Sequence, residues 1–232
     1  MQAESKNYLS ENLAEVWRKI METAERVGRN PNEIKLVAVS KTHPVNVLQE
    51  AIKAGASVLG ENKVQETEDK ISEIGRESAE WHLIGHLQSN KVRKAAKIFD
   101  VIHTLDSVEL ATRLERICIE EKIEQISVLI QVDLANETTK NGIKQEDLPE
   151  LVEYLKGCER LKFSGFMIIP PYFEDAEMTR PYFRRLREIR DEILPNGELS
   201  MGMSHDFETA IEEGATLVRV GTAIFGARHY QR

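Results

Sequence analysis

A chain of 232 residues, 41% of them hydrophobic, can bury a sizeable core, and its length alone leaves room for one large domain or two small ones. The formal net charge of −8, with acidic and basic residues interspersed, excludes a basic stripe for tracking a phosphate backbone and a polybasic membrane anchor, so neither nucleic acid nor a membrane is an expected partner. No apolar run approaches the roughly 20 residues needed to cross a bilayer, and the opening MQAESKNYLSENLAEVW lacks the basic-then-apolar order of a leader.

In chain order, Leu9, Leu13, Val16, Ile20, Ala24 and Val27 recur three and four apart, which predicts an opening helix closed by Gly28 and Pro31. Short β-branched runs then alternate with amphipathic stretches. The predicted strands are KLVAVS (35–40), SVLG (57–60), WHLIG (81–85), VIHTL (101–105), ISVLIQVDL (126–134), LKFSGFM (161–167), ELSM (198–201) and TLVRVG (216–221). Between them, VNVLQEAIKAG, ENKVQETEDKISEI, KVRKAAKIF, SVELATRLERICIEEK, QEDLPELVEYLKG, AEMTRPYFRRLREIRDEIL and HDFETAIEEGA read as helices. Cys118 and Cys158 fall in helical segments without paired or metal-ligand spacing, which predicts buried thiols in a reducing compartment, the cytoplasm.

About eight strands, each followed by a crossover helix, predict an α/β fold: a closed (β/α)8 TIM-type barrel preceded by one extra helix. No Gly/Ser/Pro linker divides the chain, so residues 1–232 are expected to form a single domain. Such barrels place their active site at the C-terminal strand ends. Lys41 follows the first strand, Glu61 and Asn62 the second, His86 the third, Met203 and Ser204 the seventh, and Gly221 and Thr222 the last, with Met167 in the sixth.

Lys41 carries the most chemistry. A lysine against low-dielectric walls loses solvation of its ammonium, and the neutral amine that Schiff-base formation requires becomes accessible near neutral pH. The plainer role is a lysine turned to solvent or paired with a carboxylate. Pro44 suits the first turn of the next helix. SMGMSHDF (200–207) and VRVGTAIFG (218–226) supply the glycines and helix starts that barrels use to hold phosphate, with Ser204 placed to cap a helix near His205; an ordinary cap and a tight turn are the plainer alternatives. Arg219 alternates with Val218 and Val220 beside that turn, where it can meet a ring nitrogen or an ion-pair partner. His82 and His86 flank a strand, which gives no shared helical face for zinc, and His82 and His103 read as strand histidines, while His229 lies in a tail.

KLVAVSKTHP (35–44), LGENKVQE (59–66), WHLIGHLQSNK (81–91), LSMGMSHDFETAI (199–211) and VRVGTAIFG (218–226) together resemble the pyridoxal-phosphate homeostasis proteins, single barrels similar to the N-terminal domain of alanine racemase. The resemblance implies pyridoxal 5′-phosphate as cofactor, Lys41 as its Schiff-base amine, Ser204, Gly221 and Thr222 at the phosphate, Arg219 facing the pyridine nitrogen, and Asn62, His86, Met167 and Met203 around the pocket. Where the family favours a further acidic residue after GMS, this chain has His205 before Asp206; His205 reads as a titratable surface group with no catalytic role.

An arginine facing the pyridine nitrogen disfavours the protonated ring and weakens its electron sink. A racemase tolerates this when two bases flank the α-carbon, and the second, in alanine racemase, is a tyrosine supplied through a C-terminal β domain and dimer for which this chain is expected to have no room. Tyr172 and Tyr182 are the nearest substitutes and are expected to pack or flank the mouth. The reading is therefore a monomeric protein of vitamin B6 homeostasis, holding the cofactor with little or no turnover and influencing its supply to pyridoxal-phosphate-dependent apo-enzymes. A pyridoxal-phosphate-dependent amino-acid racemase and a cofactor-free Schiff-base aldolase acting on a sugar phosphate are the alternatives.

Overall fold

The structure, a computed structural model, describes residues 4–135 and 141–226. The opening helix α1 (Glu4–Arg26) buries Leu9, Leu13, Val16, Ile20 and Ala24, while Val27 falls just past its end and is exposed. Gly28 takes a left-handed φ of 71°, and Asn30 then caps a short 3-10 turn over Pro31–Glu33.

The remaining elements are β1 (Lys35–Val39), α2 (Val45–Lys53), β2 (Val58–Glu61), α3 (Val64–Ile74), β3 (Glu80–Leu83), α4 (Val92–Ile98), β4 (Val101–Leu105), α5 (Val108–Glu120), β5 (Ile126–Asp133), β6 (Ile143–Lys144), α6 (Leu148–Lys156), β7 (Leu161–Met167), α7 (Arg180–Ile193), β8 (Glu198–Met203), α8 (Phe207–Glu212), β9 (Leu217–Val220) and α9 (Thr222–Phe225). Every pairing is parallel. The order β4-β3-β2-β1-β9-β8-β7-β5 closes through β4 and β5 into an eight-stranded barrel, and β6 is a two-residue addition beyond β5 that the sequence pattern does not show. The expected (β/α)8 fold with an extra N-terminal helix is the one observed.

Two apolar cores hold the barrel. The larger lies between sheet and helices and includes Trp81, Phe166, Phe183, Leu59 and Leu105. The smaller fills the barrel itself with Val37, Val58, Leu129, Met167 and Leu217, one residue from each of five strands. Because strand side chains alternate between the two cores, a residue's parity decides which it enters. Pro181 sits in the first turn of α7, and the predicted long helix accordingly divides there into a 3-10 turn (Ala176–Thr179) and α7 proper. Cys158 lies past the C-cap of α6 rather than inside a helix. Among the described residues no helix is long and apolar enough to cross a membrane. His229 lies outside the described residues.

Candidate functional site

Lys41 stands two residues beyond β1, on a turn clamped from behind. Ser40 donates its hydroxyl to Glu61 Oε1 at 2.6 Å, and its carbonyl accepts from Lys70 Nζ at 3.0 Å. Thr42, held at the left-handed φ of 68°, donates its N–H to Glu66 Oε1 at 2.7 Å. Lys70 binds both carboxylates at 2.7 Å, so one buried ammonium ties together the residues on either side of Lys41. Burial pushes the Glu61 carboxyl up, against the attraction and hydrogen bond of Lys70 and the hydrogen bond from Ser40. Burial acts the same way on Glu66, but there the Lys70 and Thr42 hydrogen bonds prevail and its pKa falls below the usual range.

Above the barrel core, a cavity of about 280 Å³ opens at the C-terminal strand ends, lined by Lys41, Asn62, Met203, Ser204, Arg219, Gly221 and Thr222. Val39, Ile84 and Ile169 form its apolar walls, and Tyr172 and His205 its rim. This is the small, largely apolar concavity with a few polar groups that small-molecule sites use. Asn62 brings an amide oxygen that is buried with no partner among the described residues. The chain after β3 passes so close that a Cβ on Gly85 would lie 2.3 Å from the Asn62 carbonyl oxygen, so only glycine fits there.

Two sides of the cavity are built to meet negative charge. The backbone N–H groups of Gly221 and Ala223 converge on Ser204 Oγ, at 3.1 and 3.4 Å. Both amides thus donate to the serine oxygen, and a Cβ on Gly221 would come within 3.3 Å of Val39 Cβ. Ser204 does not cap the next helix as expected; α8 begins at Phe207, and Asp206 instead accepts from the Met203 N–H at 2.7 Å, which shapes the loop. Arg219, two residues before Gly221 on β9, is buried, donating from Nη1 to Ser200 Oγ at 2.6 Å and from Nη2 to the Ile168 carbonyl at 2.8 Å. Burial lowers its pKa to about 10, with Asp206 acting in the other direction, so it remains a cation at neutral pH.

Two expected lining residues fall elsewhere. Met167 is wholly buried in the barrel core, and Ile169, one pleat further along, lines the cavity in its place. His86 stands in an adjoining cleft with Lys63, Gln88 and Lys91, its Nδ1 3.7 Å from Asp106, because the turn at Gly85 carries it outside Asn62. His205 reaches the rim, its Nε2 donating to the Glu174 carbonyl at 3.0 Å beside the Tyr172 ring. Tyr172 flanks the mouth and Tyr182 packs against Phe173, as expected of both. The walls Val39 and Ile84 escaped the sequence reading, although each lies an even number of residues from an inward neighbour, Val37 or His82. No group of three potential metal ligands occurs among the described residues.

Residues 11–229 match the family model described as alanine racemase, N-terminal domain. The pyridoxal phosphate homeostasis protein of Aquifex aeolicus is 46% identical, over 95% of this chain and 98% of its own length. That of Escherichia coli is 43% identical, over 97% and 99%. The chain belongs to the pyridoxal phosphate homeostasis protein family. Among solved structures, PipY of Synechococcus elongatus, determined with pyridoxal phosphate bound, superposes with a TM-score of 0.82 at 38% identity, covering 94% of this chain and all 100% of that one. Alanine racemase from Corynebacterium glutamicum shares the fold, with a TM-score of 0.68 at 18% identity, and this chain covers 62% of it. Membership accounts for why five sequence blocks, each at a strand end, meet around one cavity in this pyridoxal phosphate homeostasis family barrel.

Proposed function

We propose that this protein binds pyridoxal 5′-phosphate in the cavity above the barrel and serves its homeostasis, with little or no turnover of its own. When bound, the cofactor supplies an aldehyde that condenses with a lysine amine and a ring that withdraws electrons. Lys41 is the amine in this proposal, and the clamp on Ser40 and Thr42 fixes its direction. Ser204, Gly221 and Thr222 hold the phosphate in this proposal, supported by their shared place in the cavity lining, where two backbone N–H groups gather at the Ser204 hydroxyl. Arg219 faces the ring nitrogen. Asn62 brings its unpartnered buried oxygen, Met203 lies over the opening, and Ile169 takes the wall position expected of Met167.

The low turnover in this proposal rests on Arg219 combined with a missing second base. A guanidinium only donates hydrogen bonds, so it cannot stabilise a protonated ring nitrogen as a carboxylate does, and the electron sink stays weak. No second base stands opposite Lys41 in the sheltered part of the cavity among the described residues; Tyr172 is 78% exposed at the rim. The proposal extends to one domain acting as a monomer in the cytoplasm and passing cofactor to apo-enzymes. The cytoplasmic part is supported by two unbridged thiols, Cys118 and Cys158, each raised by burial to about 11.

Borohydride reduction of protein incubated with pyridoxal phosphate, followed by peptide mapping, tests the reading. The adduct is expected on Lys41, and the visible absorbance should vanish in Lys41→Ala. An adduct spread over surface lysines, or a variant that keeps its colour, would refute it. Racemisation or decarboxylation of any member of a D- and L-amino-acid panel at ordinary enzymatic rates would overturn the carrier role and leave the binding role standing.

A further inference from the structure

Arg219 is a buried cation whose direct partners among the described residues are neutral, Ser200 Oγ and the Ile168 carbonyl. Asp206 is the carboxylate that acts on its charge, and a row of hydrogen bonds leads away from it through Ser200. Ser200 Oγ lies 2.8 Å from His103 Nδ1, His103 Nε2 lies 2.8 Å from His82 Nδ1, and His82 Nε2 lies 2.8 Å from Glu80 Oε1. Lys35 Nζ then binds both Glu80 oxygens at 3.1 Å. Glu80 and Lys35 are the first residues of β3 and β1, so this chain of hydrogen bonds runs from the cavity to the opposite rim of the barrel. Ser200 and both histidines are buried along the way.

The Glu80 end orders the protons behind it. Glu80, whose pKa is lowered to about 2 chiefly by the hydrogen bond from His82, is a carboxylate and only accepts. His82 must therefore donate from Nε2, and with a single proton on its ring it accepts at Nδ1. His103 must then donate from Nε2 and accept at Nδ1, which takes the Ser200 hydroxyl proton and leaves the Ser200 oxygen to accept from Arg219. Run the other way, the row would make Ser200 Oγ accept from both His103 and Arg219, two donors in competition for one oxygen. In the order set by Glu80, a second proton on His82 would set N–H against N–H at the His82–His103 contact, and one on His103 would take the place of the Ser200 hydroxyl proton. Burial first, then the charges of His82, Arg219 and Lys35, push the His103 pKa well below that of ordinary histidine, in keeping with a neutral ring.

We propose that His103 and His82 are positioning residues that act through Ser200 to tie the orientation of Arg219 in the cavity to Glu80 at the far rim. Losing the acceptor at Glu80 leaves a buried N–H without a partner, and moving that proton inward sets His103 and Arg219 in competition for Ser200 Oγ, which opens the link to Arg219. The opened link frees Arg219 to turn within the cavity. This rests on the cofactor reading only for what Arg219 faces; the proton order is a property of the ligand-free protein.

The test uses the full chain in two measurements. In ligand-free, 15N-histidine-labelled protein, long-range 1H–15N correlation at pH 7.5 should find His82 and His103 neutral and protonated at Nε2, with His103→Phe assigning the signals. A cationic ring, or a proton on Nδ1 of either, overturns the proposal. In protein loaded with pyridoxal phosphate, Glu80→Leu, a change at the solvent-accessible rim, should weaken affinity about tenfold and shift the visible absorbance maximum, whereas Lys35→Met, which leaves the row intact, should stay within about twofold of wild type. Wild-type affinity and spectrum in Glu80→Leu overturn it as well. Should His103→Phe not fold, the rim variant and the wild-type spectrum still decide, and a protein that binds no pyridoxal phosphate refutes the function proposed above while the tautomer measurement stands.

Discussion

Lys70 shows how much of the site rests on a side chain that never reaches it. Its ammonium, with the side chain 6% exposed, is shared by the Ser40 carbonyl, Glu61 and Glu66. Removing one member of a buried ionic group strands its partner, which costs about 3–5 kcal/mol, while removing both charges together is close to neutral. Lys70→Met should therefore lose stability of that order in urea unfolding, and Lys70→Met with Glu61→Leu should recover most of it, since Glu66, at 27% exposure, can return to water. Equal losses in the single and double variants would show that the clamp is not an ionic unit. Thr42 pays for its left-handed φ with about 1 kcal/mol, so Thr42→Gly should relieve strain and keep the N–H that binds Glu66.

At the scale of elements, the pleat of β7 separates packing from function. Met167 points into the barrel core and Ile169, beyond the strand's end, into the cavity. Met167→Ala should cost about 2–5 kcal/mol in unfolding while the folded molecules keep their affinity for pyridoxal phosphate. Ile169→Ala should leave stability nearly unchanged and weaken binding several-fold, because it strips an apolar wall from the ligand side only. Titration of both variants against cofactor, with unfolding curves alongside, tells these outcomes apart. In the connection after β3, Gly85→Ala forces a Cβ against the Asn62 backbone and should cost about 1–3 kcal/mol and displace Asn62 from the cavity. The β8–α8 connection makes a related point: its serine serves the neighbouring turn at Gly221, and the residue that organises its own loop is Asp206.

Across the whole molecule, the row from Arg219 to Glu80 links folding to pH. His103 keeps its neutral form in the fold and titrates near 6.5 once unfolded. A histidine with a depressed folded pKa contributes stability that is fully present above its unfolded pKa and is lost as pH falls toward the folded value. From pH 7.5 to 5, unfolding free energy should decline with a contribution from this residue approaching about 1.4 kcal/mol per pH unit, and the slope should be shallower in His103→Phe. Urea midpoints at intervals of pH measure it; parallel slopes would place the proton elsewhere. Much of this molecule was legible beforehand. Periods of two and of three to four residues, set by local backbone geometry, marked the eight barrel strands, α1 and the major helices, and β-strand ends marked Lys41, Asn62, Ser204 and Gly221. What the sequence could not determine is which strand-end residues share a layer, since the height of a side chain in a closed barrel depends on the stagger of every strand around it; hence Ile169 in place of Met167, and His86 in the next cleft. Nor could spacing join His103 to Ser200 across 97 positions, or Lys70 to the turn of Lys41. Those contacts exist only after closure, when barrel walls remove water and leave buried polar groups no partners but one another.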